Sequence, residues 1–361
     1  MYFRVKRLEQ AWNRLFIRAV GRMMPPAPPG KPDWSEGSYR ILYLRHDKIG
    51  DMIVSTSLIE AIARSHPTIR LDVLASPANA PVLENNPYVN SVLVWDRTRP
   101  ASYKELRRKL HKMKYDAVID CMVLAPSTTT LLLMLASSAK HRIGVGGRIN
   151  DYALTIRVPR AESAAHHIEH SAVLAKAFDV DIDEIDWRPS LYFSDAELAR
   201  ANESWRGSPR LLVNISAGPS RDRWPDEHFM RVLRHVRQQF PDVDVAVISA
   251  PDETNRAYRI ATSSDSRFVR TAKVRDALAL VATSDFVLTP DTSIAHAASA
   301  CSKPAVILFQ KGKEVLWGRY RIPGHDVVSP EKSLSVLPVE PVLAAVDDLL
   351  ANCAPSSRES K

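Results

Sequence analysis

The 361-residue chain contains few cysteines and no long apolar run, and each shortage excludes a class of protein. The three cysteines, Cys121, Cys301 and Cys353, lie far apart without Cys-x-x-Cys spacing, which argues against a disulfide framework and a zinc cluster. No apolar stretch approaches the roughly 20 residues that a membrane-spanning helix requires, and the N-terminus lacks the pattern of a signal peptide. We therefore expect a globular protein of the reducing cytoplasm.

Glycine is scarce where nucleotide-binding loops need it. The pattern G-x-x-x-x-G-K-[ST] is absent, and the GVGG of residues 144–147 does not match G-x-G-x-x-G. His166 and His170 have the spacing of two metal ligands on a helix, but no third ligand is evident. Cys121 has no convincing partner histidine for thiol catalysis. The sequence therefore predicts no metal site and no bound cofactor.

The composition is that of a soluble protein with a sizeable core, because 45% of the residues are hydrophobic and 25% are charged. The length allows two domains of ordinary size. The formal net charge of +8 indicates anionic partners, which include nucleic acids, phospholipid head groups and phosphorylated small molecules. The net charge alone does not distinguish among these three kinds of partner.

Residues 3–24 have the pattern of a basic amphipathic helix. Its apolar residues, Trp12 and Phe16 among them, recur at helical spacing, and six Lys and Arg residues accompany a single acid, Glu9. Such a helix is typical of binding to the surface of an anionic membrane. Packing of the apolar stripe on the protein's own core is the alternative, and nucleic acid is a weaker one because no nucleic-acid-binding motif is present. The proline-rich PPAPPGKPD that follows predicts a loose linker, which ends this region at residue 37.

From residue 38 onward, short apolar runs alternate with segments of helical periodicity, which predicts an α/β architecture with mostly parallel sheets. The predicted strands are RILYLR, RLDVLA, SVLVW, DAVIDC and HRIGV, followed by RLLVNIS, VDVAVISA, FVLTPD and AVILFQ. The predicted helices include 52–65, 102–113, 226–239, 253–263, 274–283, 292–301 and 338–352. We predict two α/β domains, at 38–185 and 209–335, with a linker at 186–208 and a C-terminal helix and tail at 336–361.

Polar strand-to-helix turns are the candidate sites, because ligands of open α/β sheets bind beyond the carboxyl ends of the strands. The first such turn is LRHDKIGD, residues 44–51, where Asp51 stands at the predicted start of a helix. One interpretation is that Asp51 only caps the helix, since aspartate is favoured at that position. The other is that Asp51 is a general base for an acceptor hydroxyl, kept ionised by the helix dipole and therefore weak.

Three turns of the second half carry groups that bind phosphates and sugars. The turn within residues 213–229 offers hydroxyls, a small residue and positive charge near a helix N-terminus, from Ser216, Gly218, Ser220, Arg221 and Arg223. The turn within 285–300 offers hydroxyls and backbone N–H groups to a diphosphate, with candidates Asp291, Thr292, Ser293 and His296. Asp252 and Glu253 follow a strand, where an acid can bind ribose hydroxyls. Capping or burial is the alternative in each turn, and Trp224 and Phe229 are predicted core residues.

These turns together resemble glycosyltransferase family nine, the ADP-heptose:lipopolysaccharide heptosyltransferases and their relatives. The resembling segments run in family order from about residue 40 to 320: ILYLRHDKIGDMIVSTSLIEAI, LENNPYVNSVLVW, HRIGVGGR, NISAGPSRDRWPDEHF, DFVLTPDTSIAHAASACSKPAVILF and LWGRY. The resemblance implies the GT-B fold, in which two Rossmann-like domains face an interdomain cleft. It also implies inverting, metal-independent transfer of a heptose from a nucleotide-diphosphate donor, most typically ADP-heptose, to a lipopolysaccharide core or similar glycan.

The resemblance assigns roles to the candidate residues. Asp51 matches the general base, and the basic residues beside it, Arg45, His46 and Lys48, match the acceptor side. Thr292, Ser293 and His296 match donor-diphosphate and sugar positions, and Asp291 matches a residue expected to hold the donor sugar. Asp252 and Glu253 do not align cleanly with the family's acid for the adenosine ribose. The implied partners are a nucleotide-sugar donor, a lipid-linked or core-oligosaccharide acceptor and, through residues 3–24, the inner face of the inner membrane.

Two residues depart from the family pattern. Asp222 stands where a lysine is frequent, so Arg221 or Arg223 must supply that charge, and Ser293 stands where glycine is usual. Both departures support an alternative function, a catalytically silent nucleotide-sugar sensor or membrane-surface scaffold of polysaccharide assembly. The presence of Asp51 and His296 argues against it. A sugar-nucleotide epimerase on the same fold is a third alternative, which would convert the donor without an acceptor.

Overall fold

The computed structural model describes residues 15–16, 19–24, 26, 30–99, 101–147, 149–218 and 223–352. The chain divides into two compact units, Met1–Trp187 and Arg188–Lys361. Each unit contains a six-stranded sheet in which the neighbouring strands are parallel.

The sheet of the first unit has the order β3-β2-β1-β4-β5-β6. Its strands are β1 (Tyr39–Leu44), β2 (Ile69–Ala75), β3 (Ser91–Val94), β4 (Ala117–Asp120), β5 (His141–Val145) and β6 (Ile156–Val158). Its helices are α1 (Ile49–Ser65), α2 (Ser102–Met113), α3 (Thr128–Ser137) and α4 (His167–Ala172).

The sheet of the second unit has the order β12-β11-β10-β7-β8-β9, which repeats the first order when strands are counted within the unit. Its strands are β7 (Arg210–Asn214), β8 (Asp244–Ile248), β9 (Arg267–Phe268), β10 (Phe286–Pro290), β11 (Ala305–Phe309) and β12 (Gly324–Val328). Its helices are α5 (Asp195–Glu203), α6 (Asp226–Gln239), α7 (Thr254–Ser263), α8 (Val274–Thr283), α9 (Ser293–Ala300), α10 (Glu314–Trp317) and α11 (Glu340–Asn352).

Local sequence explains these elements. The central strands β4, β10 and β11 are buried along their whole length, as expected for strands covered on both faces of a parallel sheet. The buried residues of α6 recur every three or four positions, so one face of this helix packs on the sheet while the charged residues face solvent. Trp224 and Phe229 are fully buried in the same core, which confirms the prediction for both.

The nine predicted strands are all present, and the predicted helices are present with small shifts of their ends. The shift that matters is at α1, which begins at Ile49 rather than residue 52, so Asp51 lies inside the first turn. The predictions omitted the short strands β6, β9 and β12 and the helices α3, α4 and α10. The predicted linker at 186–208 contains α5, whose Glu197 pairs with Arg275 of α8 at 2.7 Å.

The N-terminal segment is described only in part. Residues 19–22 are helical, Val20 and Met24 are buried in the core of the first unit, and Leu15, Phe16 and Met23 are exposed. The remaining residues of the helix predicted at 3–24 lie outside the described residues, as does the tail from residue 353. Within the described ranges, no helix has both the length and the apolar character needed to cross a bilayer.

Candidate functional site

Each sheet has one point at which the chain changes the direction in which it adds strands. In the first unit this switch point lies between β1 and β4, and in the second it lies between β7 and β10. Ligands of α/β proteins bind beyond the carboxyl ends of the strands at such points, because the two adjacent loops turn away from each other there. The turns predicted around Asp51 and around Thr292 follow β1 and β10, so each lies at a switch point.

Arg45 stands at the end of β1 and is buried, with a side chain that is 2% exposed. Its Nε donates to Ser55 Oγ at 2.9 Å, and its Nη1 pairs with a carboxylate oxygen of Asp47 at 3.0 Å. Its Nη2 lies 3.5 Å from the carbonyl oxygen of Cys121, which follows β4. Because Ser55 Oγ in turn donates to the carbonyl oxygen of Asp51 at 2.8 Å, Arg45 connects the loop, the first turn of α1 and the end of β4. These contacts favour a positioning role for Arg45, and the acceptor-binding role stays a prediction.

Asn79 holds the same loop from the side of β2, and sequence reasoning missed it. Its Nδ2 donates to the carbonyl oxygen of Arg45 at 3.1 Å and lies within 3.5 Å of the carbonyl oxygens of Asp47 and Lys48. Its Oδ1 accepts a bond of 2.8 Å from the backbone N–H of Ser76. The signal available in the sequence was an asparagine in a turn directly after a strand, ASPANAP, but only the strand order shows that this turn lies beside the loop after β1.

Asp51 lies at the third position of α1, whose N-cap is Lys48. Asp51 is therefore not the N-cap residue, but its carboxyl accepts a hydrogen bond from the backbone N–H of Lys48, so part of the capping interpretation holds. Burial raises the pKa of the Asp51 carboxyl above its usual range, and the charge of Asp47 adds to the rise, whereas Arg45 and Lys48 oppose it. The pKa of Asp51 thus shifts in the direction opposite to the one expected from the helix dipole, because loss of water around the carboxylate outweighs the favourable first turn. A carboxylate with a raised pKa is a better proton acceptor.

The other two residues predicted on the acceptor side differ in exposure. Lys48 is exposed at the N-cap of α1, where an anion can reach it. The His46 ring is 4% exposed and lies edge-on to Trp95, with ring centroids 5.4 Å apart. Burial lowers the pKa of His46, which favours a neutral imidazole, and neither ring nitrogen has a hydrogen-bond partner among the described residues.

Asn214 connects the two strand ends at the switch point of the second unit. Its Nδ2 donates to Thr289 Oγ1 at 3.0 Å and to Thr292 Oγ1 at 3.2 Å. Its Oδ1 accepts a bond of 3.2 Å from the backbone N–H of Ser216. Thr292 is the N-cap of α9, and its Oγ1 accepts a bond of 3.3 Å from the N–H of Ile294. Asn214 thereby fixes the start of α9 relative to the loop after β7.

Arg256 of α7 holds the two ends of the turn that was predicted to bind phosphate. Its Nη1 donates to the carbonyl oxygen of Ile215 and its Nη2 to that of Trp224, both at 3.0 Å. Its Nε pairs with Asp226 at 2.7 Å, and its Nη1 with Glu253 at 2.9 Å. Sequence reasoning did not single out Arg256, because nothing in the sequence of α7 indicates that its guanidinium reaches a turn some 30 residues earlier.

The predicted donor-binding residues of this turn occupy different environments. Ser216 is buried, and its Oγ accepts a bond of 2.6 Å from the N–H of Ala250. Gly218 and Arg223 are exposed, and Arg223 Nε lies 3.2 Å from a carboxylate oxygen of Glu253. Ser220, Arg221 and Asp222 lie outside the described residues.

The two acids proposed for ribose also differ. Glu253 is 5% exposed, and its Oε1 pairs with both Arg223 and Arg256, so these contacts favour a positioning role. Asp252 is exposed on the short turn that precedes α7. Ribose binding stays a prediction for both residues.

The turn after β10 brings Asp291, Thr292 and Ser293 together at the start of α9. A carboxylate oxygen of Asp291 lies 3.8 Å from Lys313 Nζ. His296 lies one turn into α9 and is buried, and its ring packs on the indole of Trp317, with ring centroids 5.7 Å apart. Trp317 belongs to the LWGRY segment and His296 to DFVLTPDTSIAHAASACSKPAVILF, so two of the segments that resemble the family are in contact.

Two groups that were considered for other chemistry have structural roles. His166 caps α4, where its Nδ1 accepts a bond from the N–H of Ile168. The Cys121 thiol donates to the carbonyl oxygen of Leu44, and burial raises its pKa. Among the described residues, no group of three or more His, Cys, Asp and Glu side chains is arranged to hold a metal ion.

Comparison with known proteins matches residues 103–332, more than half of the chain, to glycosyltransferase family 9 (heptosyltransferase). Lipopolysaccharide heptosyltransferase 3 of Escherichia coli K12 is 22% identical over 348 residues, which are 85% of this chain and 97% of that protein. Among solved structures, a family 9 glycosyltransferase of Veillonella parvula has a TM-score of 0.76 at 16% identity, covering 88% of this chain and 98% of its own. E. coli heptosyltransferase WaaC with ADP has a TM-score of 0.68 at 18% identity, covering 87% and 99%.

These structural likenesses concern the fold. Two parallel six-stranded sheets with the same strand order, each covered by helices, are the architecture of the solved heptosyltransferases. The predicted fold class, α/β with two Rossmann-like units of the GT-B type, is therefore confirmed.

Proposed function

Because the chain belongs to glycosyltransferase family 9 (heptosyltransferase), we propose that it transfers a heptose from ADP-heptose to a lipopolysaccharide core or similar glycan, with inversion and without a metal ion. The family makes the protein a glycosyltransferase. Support for the sugar and the acceptor comes from relatives named lipopolysaccharide heptosyltransferases, and support for the adenine nucleotide comes from WaaC, which was solved with ADP and with an ADP-heptose analogue.

The observation that carries the mechanism is the environment of Asp51, a partly buried carboxyl with a raised pKa at the carboxyl end of β1. We assign to Asp51 the role of general base. As the acceptor oxygen attacks the anomeric carbon, its proton passes to Asp51 and the bond between that carbon and the donor diphosphate breaks. The transition state has oxocarbenium character, so a carboxylate is a sufficiently strong base. Attack from the face opposite the leaving group inverts the anomeric carbon.

The leaving diphosphate carries negative charge, which several groups of the second unit stabilise. Arg223 supplies a cation, and the start of α9 supplies hydroxyls of Thr292 and Ser293 together with the positive end of a helix dipole. Groups that are held rigidly before the reaction stabilise developing charge best. Asn214 and Arg256 fix this region through the contacts described above, so we assign positioning roles to both.

The acceptor side is assigned to the loop after β1. Lys48 is exposed and cationic, which suits an anionic acceptor, while Arg45 is buried and positions the loop. A lipid-linked acceptor places the enzyme at the cytoplasmic face of the inner membrane, and we propose that residues 3–24 contribute to this association. The exposed apolar side chains of Leu15, Phe16 and Met23 support membrane contact, while burial of Val20 and Met24 shows that part of the segment packs on the protein.

The first experiment measures release of nucleotide diphosphate from ADP-heptose, UDP-sugars and GDP-sugars, with and without truncated lipopolysaccharide, and repeats the active combination with a chelator. Transfer predicts ADP release that depends on the acceptor and persists with the chelator, together with an inverted product anomer by NMR. Conversion of the donor without acceptor identifies an epimerase. Binding of donor without turnover identifies the silent sensor or scaffold.

The second experiment tests Asp51 itself. We expect Asp51→Asn to lower kcat by about 10²- to 10⁴-fold, because general-base catalysis contributes that much, and to leave the Kd for ADP unchanged. Glu60→Gln, a change of a half-buried carboxylate on the same helix that pairs with Arg64 at 3.0 Å, is the matched control and keeps full activity. An Asp51→Asn enzyme that retains more than about a tenth of kcat excludes the general-base assignment.

A further inference from the structure

Besides residues 3–24, a second short segment of this protein is strongly basic. Residues 97–114, RTRPASYKELRRKLHKMK, contain eight Lys and Arg residues and one acid, a net charge of +7. The formal net charge of the whole chain is +8, so all other residues together carry +1. Most of this segment is helix α2.

The helix separates its core face from its charged face. Leu106 and Leu110 are buried in the core of the first unit. Lys104, Arg108 and Lys112 are exposed and follow one another every four residues, so they form a line along the opposite side of the helix. We call the exposed set within the helix the basic face of α2, and it consists of Lys104, Arg107, Arg108, Lys109 and Lys112.

Little negative charge lies near this face. Within the described part of the chain, the ion pair of this segment joins Arg99 to Glu105 at 3.9 Å. Helix α3 packs beside α2, where Tyr103 donates to the carbonyl oxygen of Leu132 at 3.3 Å, and the sequence of α3, TTTLLLMLAS, contains no charged residue. The five cations of the basic face are therefore not neutralised by the helix next to them.

We propose that the basic face of α2 binds the anionic surface of a lipid bilayer. The cations lie on a convex helix about 18 Å long, whereas a small phosphorylated ligand requires a concave site. Each Lys or Arg near an anionic leaflet raises the partition coefficient by about fivefold, so the five cations of the basic face together raise it strongly. The choice of a bilayer as the occupant rests on the proposed function, since a lipid-linked acceptor lies at such a surface. This contact uses other residues than those at 3–24, although Val20 and Met24 are buried in the same apolar core as Leu106 and Leu110 of α2.

The test compares vesicle binding of the full chain with two variants that lose the same charge. In the first variant Arg107, Arg108, Lys109 and Lys112 are all replaced by Gln, and in the control Arg200, Arg206, Arg259 and Arg270, exposed in the second unit, are replaced by Gln. Sedimentation uses vesicles of phosphatidylcholine with and without phosphatidylglycerol. We expect wild type and control to bind the anionic vesicles in a salt-sensitive manner, and the α2 variant to bind at least about 100-fold more weakly.

Equal binding by the α2 variant and the control overturns the proposal, as does equal binding of wild type to neutral vesicles. Tighter binding to double-stranded DNA than to anionic vesicles at the same salt concentration overturns the bilayer as the occupant. Turnover with a water-soluble truncated acceptor and an unchanged Tm show that the α2 variant is folded. Vesicle binding and turnover test the two proposals separately. If the α2 variant loses vesicle binding but keeps turnover, the transferase proposal is unaffected. If wild type shows no turnover but binds anionic vesicles through α2, the lipid contact is unaffected.

Discussion

The carboxyl of Asp51 is subject to two opposing influences. The free N–H groups in the first turn of α1 favour a negative charge, while burial and the neighbouring Asp47 disfavour it. The second influence is larger, since removing water from a carboxylate affects its pKa more than a partial charge at a helix end does. Asp51 is therefore less stable as an anion than an exposed aspartate, as expected for a group kept for proton transfer rather than for stability.

This balance predicts the effect of Asp51→Asn on stability. The folded-state pKa lies above the unfolded value of 3.8, so ionisation above that pH disfavours the folded state. Asparagine removes the charge and this cost, and we expect Tm at pH 7 to stay the same or to rise while kcat falls. Thermal unfolding at pH 7 checks this. A lowered Tm at pH 7 would show that the ionised carboxylate supports the fold, which contradicts the raised pKa.

The pH dependence of kcat depends on the same carboxyl. A general base acts only when it is deprotonated, so kcat rises with pH through the pKa of Asp51, which lies above 3.8. Asp47→Asn removes a charge that raises this pKa, and we expect the acid limb to move to lower pH. Lys48→Gln removes a cation that lowers the pKa of Asp51, so the acid limb of the profile moves to higher pH. Shifts of both variants in one direction, measured at saturating acceptor, would exclude Asp51 as the titrating group.

The loops that follow the first strand of each unit are held from both sides by neighbouring loops. After β1, Asn79 binds the loop from the side of β2, and Arg45 connects it to the end of β4. After β7, Arg256 binds the turn from α7, which follows β8, and Asn214 connects it to the start of α9. Because backbone carbonyl groups of a loop are held at several points, the loop keeps one conformation at the switch point, which a preorganised site requires.

This arrangement predicts that Arg256→Ala raises the KM for the donor by more than about tenfold, the effect of losing about 1.4 kcal/mol of binding. The alanine leaves the carbonyl groups of Ile215 and Trp224 without their donor and releases the turn that contains Arg223. Arg256→Lys should restore part of the donor affinity. The matched control is Glu197→Gln, which breaks another partly buried arginine pair of the second unit, far along the chain from the turn. Equal KM values in Arg256→Ala and in the control would assign Arg256 a purely structural role.

Glu197 itself connects α5 to α8 with a two-point ion pair. Its carboxylate oxygens accept from Arg275 Nε and Nη2 at 2.7 Å and 2.8 Å, and the bond to Arg275 lowers the pKa of Glu197 to about 2. The contribution to stability is therefore fully present above the unfolded pKa of 4.5 and is lost as pH falls towards 2. We expect Glu197→Gln to destabilise the second unit by about 3 kcal/mol at pH 7, with a smaller difference at pH 3. Denaturant unfolding at both pH values measures this, and a difference that does not depend on pH contradicts the assigned pair.

The elements that the sequence predicted correctly are those whose pattern has a single interpretation. Strands such as AVILF are apolar throughout, and helices such as α6 alternate buried and charged residues over several turns. The strands that were missed, β6, β9 and β12, have only two to five residues and include Arg, His or Asp. Helix α3 was missed because TTTLLLMLAS is apolar on all sides and contains three consecutive threonines, so its periodicity is hidden.

The site could be predicted as far as it follows directly from a strand end. Asp51, Thr292 and Ser293 stand beside the strand that positions them, so the alternation of strands and helices was sufficient. Asn79 and Arg256 act on backbone groups of a different loop, which lies beside them only because of the strand order. A single sequence does not contain that order, and the pKa of Asp51 also depends on burial by residues that are distant along the chain.

At the scale of the whole molecule, two units with the same strand order carry different chemistry at the same topological position. In the first unit, the segment from the first strand into the next helix carries Asp51, a carboxyl with a raised pKa. In the second unit, the corresponding segment carries the hydroxyl of Ser216 and the guanidinium of Arg223. Each unit also has its own apolar core. Binding of the donor nucleotide and removal of the acceptor proton are therefore expected to be separable by mutation.

Hydrogen exchange with and without ADP tests this separation. Amides that exchange through opening of the nucleotide site slow by about 100-fold when ADP is present at about 100 times its Kd, because ADP binds only the closed form. We expect this protection in residues 213–218 and 286–300, and not in residues 44–65. The Asp51→Asn variant should show the same protection by ADP as wild type. Asn214→Ala should lose most of this protection, because it removes both the donor to Thr292 Oγ1 and the acceptor for the backbone N–H of Ser216 in the loop after β7. Protection confined to residues 44–65 would place the nucleotide in the first unit and reverse the assignment of donor and acceptor.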